Sequence, residues 1–171
     1  MADSGPVASV TPEEFAPIRR YIIANEGWHQ SAYLDTAGIP TIGVGFNLLR
    51  SDARAKIEAL GLDYDDVLNR KCALSDEQIE NLLQQDVETA VAAAQGLVPA
   101  WEALSMARKK VLADLAFNVG AGGFAKFSRF LAAINRGDWL AAEAEIVNSL
   151  YYRQVGARGK RNAAAIRSGL D

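Results

Sequence analysis

Histidine and cysteine are almost missing from this 171-residue chain, which holds one of each, His29 and Cys72. A lone cysteine excludes an intrachain disulfide and suits a reducing compartment. With a single histidine no His-based zinc site forms, and no HExxH motif exists, so neither a metal nor another cofactor is expected. A Ser-His-Asp or Cys-His catalytic group would have to use His29. That residue follows Trp28 in an expected loop and reads as a surface side chain. No stretch approaches the roughly 18 consecutive apolar residues of a membrane span, so no stable membrane insertion is expected. The opening MADSGPVASVTPEEF lacks a charged segment followed by an apolar one, and no secretory signal is expected. The glycines at 38, 43 and 45 spell no GxxxxGK[ST] phosphate loop.

What is present is apolar and unevenly charged. Half the residues are apolar, enough to build the core of one domain. Residues 1–96 carry 7 Lys and Arg against 15 Asp and Glu, and residues 97–171 carry 11 against 6, consistent with the net charge of −3. A basic C-terminal part suits an anionic polymer, although an evenly solvated basic face gives the same count.

Local patterns divide the chain. Thr11-Pro12-Glu13-Glu14 reads as a helix start with a capping box, and Phe15, Ile18, Ile22 and Ile23 recur at helical spacing up to about Asn25. Gly27 is the expected stop. From Ser31 to Asn47, Asp35-Thr36-Ala37-Gly38 is turn chemistry, and Thr41, Ile42 and Val44 are β-formers: a small antiparallel sheet. A short helix is expected over 51–60. Ser75-Asp76-Glu77-Gln78 is a second capping box, opening a helix to about Gln95 that buries Ile79, Leu82, Leu83, Val87, Ala90 and Val91. Further helices are expected at about 105–119, 124–135, 138–149 and 158–168, broken by glycines.

With metals and nucleophilic triads set aside, carboxylates carry the chemistry. Acetal hydrolysis uses two of them, one protonated to donate to the leaving oxygen, one ionised. That division needs one dry and one polar environment. Glu26 ends an amphipathic helix beside Trp28, where partial burial raises a carboxyl pKa, and Asp35 opens a wetter turn. Each also has a plainer reading, Glu26 as a surface carboxylate and Asp35 as an Asx-turn residue.

The stretch Glu26-Gly27-Trp28, Tyr33-Leu34-Asp35-Thr36-Ala37-Gly38 and Thr41-Ile42-Gly43-Val44-Gly45 resembles the active-site segment of phage-type lysozymes, glycoside hydrolase family 24. The family pattern is E-G, then Y-x-D-T-x-G, then T-I-G-x-G, and here Asp35 lies nine and Thr41 fifteen residues beyond Glu26. Phe117-Asn118-Val119-Gly120 resembles the family's FNVG-type block. Tyr151-Tyr152-Arg153-Gln154 with Arg158 and Arg161 resembles its C-terminal arginine segment.

The resemblance implies roles. Glu26 resembles the general acid, Asp35 the carboxylate acting as base or electrostatic stabiliser, and Thr41 the hydroxyl that holds the attacking water. The family inverts the anomeric centre, which implies carboxyls roughly 6.5–9.5 Å apart. Arg158 resembles the arginine paired with the acid; Phe117 and Asn118 resemble part of the sugar-binding wall. A nearby cation lowers a carboxyl pKa, so burial beside Trp28 must compensate, or the pair must loosen when glycan enters. Phe46 stands where family members often carry His, and Asp86 resembles that histidine's acidic partner, so an apolar contact is expected in place of the ion pair.

The implied architecture is α+β and mostly α-helical, a lysozyme-like two-lobe fold. Residues 1–10 form an N-terminal extension and 11–171 a single catalytic domain. Its small β-bearing lobe covers about 26–75, a linking helix about 75–95, and a helical lobe about 96–171 plus the first helix, 12–25. The implied function is peptidoglycan hydrolysis at the β-1,4 bond between N-acetylmuramic acid and N-acetylglucosamine, causing bacterial cell-wall lysis. The alternatives are a lytic transglycosylase and a catalytically inert glycan-binding or phage structural module. A basic C-terminal wall would face peptidoglycan's carboxylates. The expected partner is the peptidoglycan glycan strand, with no nucleic acid and a monomeric chain. Synthesis in the host bacterial cytoplasm and action on the wall from the periplasm would depend on a holin or other membrane lesion.

Overall fold

The computed structural model describes residues 10–171, so the expected extension lies, apart from Val10, outside the described residues. The structure is 67% helical, with nine α-helices and one three-stranded antiparallel sheet among the described residues. This is the expected mostly helical α+β class. No helix among them is long and apolar enough to cross a membrane. Two compact units are present: Ile22–Asp86, and the described residues up to Tyr21 together with Val87–Asp171. The divisions fall inside helices α1 (Pro12–Glu26) and α4 (Asp76–Leu97).

The unit Ile22–Asp86 contains the sheet, β1 (His29–Leu34), β2 (Pro40–Gly43) and β3 (Phe46–Asn47), in that order. A sheet this small has one face to bury: α3 (Tyr64–Leu68) packs on β1, α2 (Ala53–Ala59) packs on α3, and Ile79 at the start of α4 lies beside Gly43 of β2. Ile42, Leu48, Ile57, Val67 and Ile79 are fully buried there. At the α4 start both halves of the expected box form. The Gln78 N–H donates to Ser75 Oγ at 3.2 Å, and the Ser75 N–H donates to Gln78 Oε1 at 2.9 Å. Helix α3, which the sequence did not announce, starts on Asp63, whose carboxylate accepts the Asp66 N–H at 2.9 Å.

Asp86 departs from the expectation that its ion pair is lost. It accepts from Arg50 at 2.7 and 3.0 Å and from Lys56 at 3.1 Å, and Arg50 also grips Asp52. The Arg50 guanidinium lies 4.7 Å from the centroid of the buried Phe46 ring. Position 46 thus contributes a cation–π face, and the charges that meet Asp86 come from residues 50 and 56 instead.

The other unit packs α5 (Met106–Ala125), α8 (Leu150–Val155) and α7 (Trp139–Val147) against α9 (Ala157–Ser168), with α6 (Ser128–Arg136) on α7. Val111 through Ala116 form an unbroken buried run on α5. The α5 helix breaks at Gly120, where φ is +76° and ψ 163°, close to the expected end. At the start of α1, Thr11 Oγ1 accepts the Glu14 N–H at 3.3 Å. The reciprocal half of that box is absent, because Glu14 is buried with Lys109 and accepts the Trp101 indole N–H at 3.5 Å. A buried carboxylate gains more from an ammonium than from a local N–H.

Candidate active site

The α1 helix ends on Glu26. Gly27 follows at φ +81°, and its N–H closes the last turn on the Ile23 carbonyl at 2.8 Å. Glu26 is half-buried. The backbone beside it is bare: Gly45, at φ +64°, lies so close that an added Cβ would sit 2.8 Å from Glu26 Oε2 and 2.9 Å from its Cδ. A Gly45→Ala chain therefore meets two penalties. The left-handed conformation costs an alanine about 1–2 kcal/mol, and the methyl must push the Glu26 carboxyl aside. Catalysis that relies on that carboxyl is expected to fall by roughly ten- to hundredfold. Initial catalytic rates, read beside the thermal midpoint, check it.

Trp28, expected to dry Glu26, is half-buried and tethered elsewhere. Its indole N–H donates to Asp76 Oδ1 at 2.9 Å, an exposed contact that Gln30 Nε2 shares at 3.2 Å. Strand β1 begins at His29, two residues before the expected start, so His29 is exposed, as expected, but on a strand.

Asp35 closes the β1–β2 connection. Its Oδ1 accepts the N–H groups of Ala37 and Ile39, both at 2.8 Å, while the Gly38 N–H donates to its carbonyl at 2.9 Å. This is the Asx turn that the composition suggested. It fixes one carboxylate oxygen, and among the described residues no hydrogen bond to the other is present. Thr41 is 4% exposed on β2, and its hydroxyl donates to the Ile39 carbonyl at 2.9 Å. With its proton committed there, Thr41 Oγ1 meets any further partner as an acceptor.

One side chain relates all three. Tyr33 pairs with Thr41 across the β1–β2 ladder. Its phenol is pushed above the ordinary value of 10.0, first by burial, then by the negative charges of Glu26 and of Asp35. Both carboxylates therefore act on one half-buried phenol, within Ile22–Asp86. Residue-by-residue reading of the motifs gave Tyr33 no role of its own.

Phe117, Asn118 and Arg158 belong to the helical unit. Phe117 is half-buried and Asn118 exposed, just ahead of the Gly120 break. Arg158 grips Asp114 through Nε at 2.9 Å and Nη2 at 2.7 Å. Asp114 is completely buried and also accepts from Asn162 Nδ2 at 2.9 Å and the Tyr151 hydroxyl at 3.4 Å. Tyr21 extends the chain by donating to Asn162 Oδ1. Burial first, and the Asp114 charge second, hold the Tyr151 phenol far above its ordinary value. Asp114 was missed in the sequence. Its signal was a single acid inside the apolar run Val111-Leu112-Ala113-Asp114-Leu115-Ala116.

Known proteins resemble this chain over most of its length. A family model described as phage lysozyme matches residues 24–165. The pre-baseplate central spike protein Gp5 of Enterobacteria phage T4 is 30% identical over 152 residues, 85% of this chain. The match covers 26% of that protein, so the chain spans about a quarter of this relative's length. The probable T4-type lysozyme 2 of Dictyostelium discoideum is 28% identical over 155 residues, covering 85% of this chain and 90% of the relative. The probable T4-type lysozyme 1 of the same organism is 24% identical over 156 residues, with the same coverage.

Proposed function

Because this chain belongs to the phage lysozyme family, we propose that it hydrolyses peptidoglycan at the β-1,4 bond between N-acetylmuramic acid and N-acetylglucosamine. The observation that carries the reading is the close approach of Gly45 to the Glu26 carboxyl within the same unit that holds the Asp35 turn and sets Tyr33 opposite Thr41 across the sheet. Two carboxylates and a hydroxyl acceptor thus share one small β-bearing unit.

In this reading Glu26 delivers its proton to the departing glycosidic oxygen. A water donates one hydrogen to Thr41 Oγ1 and the other to the second oxygen of Asp35, leaving a lone pair aimed at the anomeric carbon. Asp35 takes the proton as the C–O bond forms, and the anomeric centre inverts. No metal or other cofactor takes part. Arg158 is proposed to contribute to substrate binding as a guanidinium pre-oriented by Asp114, with Phe117 and Asn118 as sugar contacts. The biological setting proposed is lysis of a host cell. The chain is made in the cytoplasm and reaches the wall after a holin or similar lesion opens the membrane.

The name of the T4 spike relative favours one second reading, a lysozyme-like module serving a larger phage particle, with or without turnover. One assay separates these. Purified chain is incubated with outer-membrane-permeabilised Gram-negative cells, and the soluble products are examined by mass spectrometry. Falling turbidity with reducing-end muropeptides is the expected result. Anhydro-sugar products would reveal a transglycosylase, and unchanged turbidity an inert module.

A further inference from the structure

Beside Glu26 lies an aromatic pair to which the mechanism gives no work. The His29 imidazole and the Tyr33 phenol ring are 4.2 Å apart between centroids, tilted by 41°. His29 is exposed and Tyr33 half-buried, so the histidine forms the outer layer. An exposed side chain gains little from burial and ordinarily keeps its rotamer freedom. This one is held on two sides. Tyr33 backs it, and Gly27 passes so close that an added Cβ would sit 2.8 Å from His29 Nε2. The ring behind it is the same phenol that feels the charges of Glu26 and Asp35. Tyr33 belongs to one of the motif blocks; His29 belongs to none.

We infer that His29, backed by Tyr33, is a stacking platform for one pyranose ring of the N-acetylated glycan next to the cleaved bond. A pyranose presents a face of C–H groups that is apolar and slightly electropositive, and an aromatic face carries the complementary negative charge. Substrate sites combine such apolar surfaces with a few polar groups that fix orientation. Here Glu26, Asp35 and Thr41 are those polar groups, and the pinned ring sets the sugar against them. The inference rests on the hydrolase reading, and it adds a specificity-determining residue to it.

The test uses the full chain carrying Glu26→Gln, which binds without turning over, and soluble uncross-linked glycan strands as the probe, followed by calorimetry. Adding His29→Ala is expected to weaken binding by about fivefold, and His29→Phe to restore it to within about twofold. In the otherwise wild-type chain, His29→Ala is expected to raise KM more than it lowers kcat. Circular dichroism confirms that each variant folds, which an exposed position favours. Binding unchanged by His29→Ala, or a loss that His29→Phe does not repair, overturns the platform while leaving the hydrolase reading intact. Absence of glycan binding by the Glu26→Gln parent, or full lysis by it, overturns both.

Discussion

A Glu26→Gln chain is expected to lose at least about a hundredfold of its rate on peptidoglycan, the range that a positioned general acid contributes. The amide keeps the volume of the carboxyl and so respects the close approach of Gly45, which leaves 2.8 Å between a hypothetical Cβ and Oε2. What it removes is the transferable proton. Without that proton the leaving oxygen departs as an alkoxide, a poor leaving group at neutral pH. The amide also keeps the side chain's length and one acceptor oxygen, so the fold is expected to persist. A thermal midpoint close to wild type beside a collapsed lysis rate is the expected pair of readings. A lysis rate within tenfold of wild type would instead remove Glu26 from the chemistry.

The largest expected stability effect lies elsewhere, at Asp114. Its side chain is fully buried, and that of its partner Arg158 is only 10% exposed. Asp114→Ala takes away both charge-assisted hydrogen bonds to that guanidinium, together with the negative charge that they carry. Breaking a buried pair from one side costs about 3–5 kcal/mol. For a chain of this size that is a fall of roughly 10 °C in the thermal midpoint. Asn162 and Tyr151 soften the loss only slightly, since Asn162 Nδ2 still reaches the Tyr151 hydroxyl at 2.7 Å. Asp114→Asn keeps an acceptor for Asn162 but not the charge, and its midpoint is expected between the two. Urea denaturation of the three chains gives the ordering directly. Wild-type stability for Asp114→Ala would mean that the network carries no net energy.

Which of these features could be read from the chain alone follows from how local they are. Ser75 and Gln78 need only each other, three residues apart, and their box forms as written. Glu14 has the same spacing from Thr11 but answers to Lys109 and Trp101, far away in sequence, and a local rule cannot see them. The short helices α3 and α8, of five and six residues, contain too few turns for hydrophobic periodicity to register. Glu26, Asp35 and Thr41 stand out because motif spacing is a property of the string. The place of Tyr33 opposite Thr41 depends on strand register, and the pinning of His29 depends on a glycine two residues earlier adopting a positive φ. Phe46 shows the opposite error. The missing histidine was read correctly, yet the replacement cation, Arg50, sits four residues on and became visible only in three dimensions.

The turn at Asp35 also bears on how such a protein could change. One oxygen of this carboxylate stitches together the backbone of residues 37 and 39, so the side chain is a structural tie as well as a chemical group. Glu26 stands outside that turn, at the end of α1. A descendant drifting toward a purely architectural role would loosen the hairpin by discarding Asp35. Silent copies of this scaffold should therefore keep residue 35 even where their chemistry is gone.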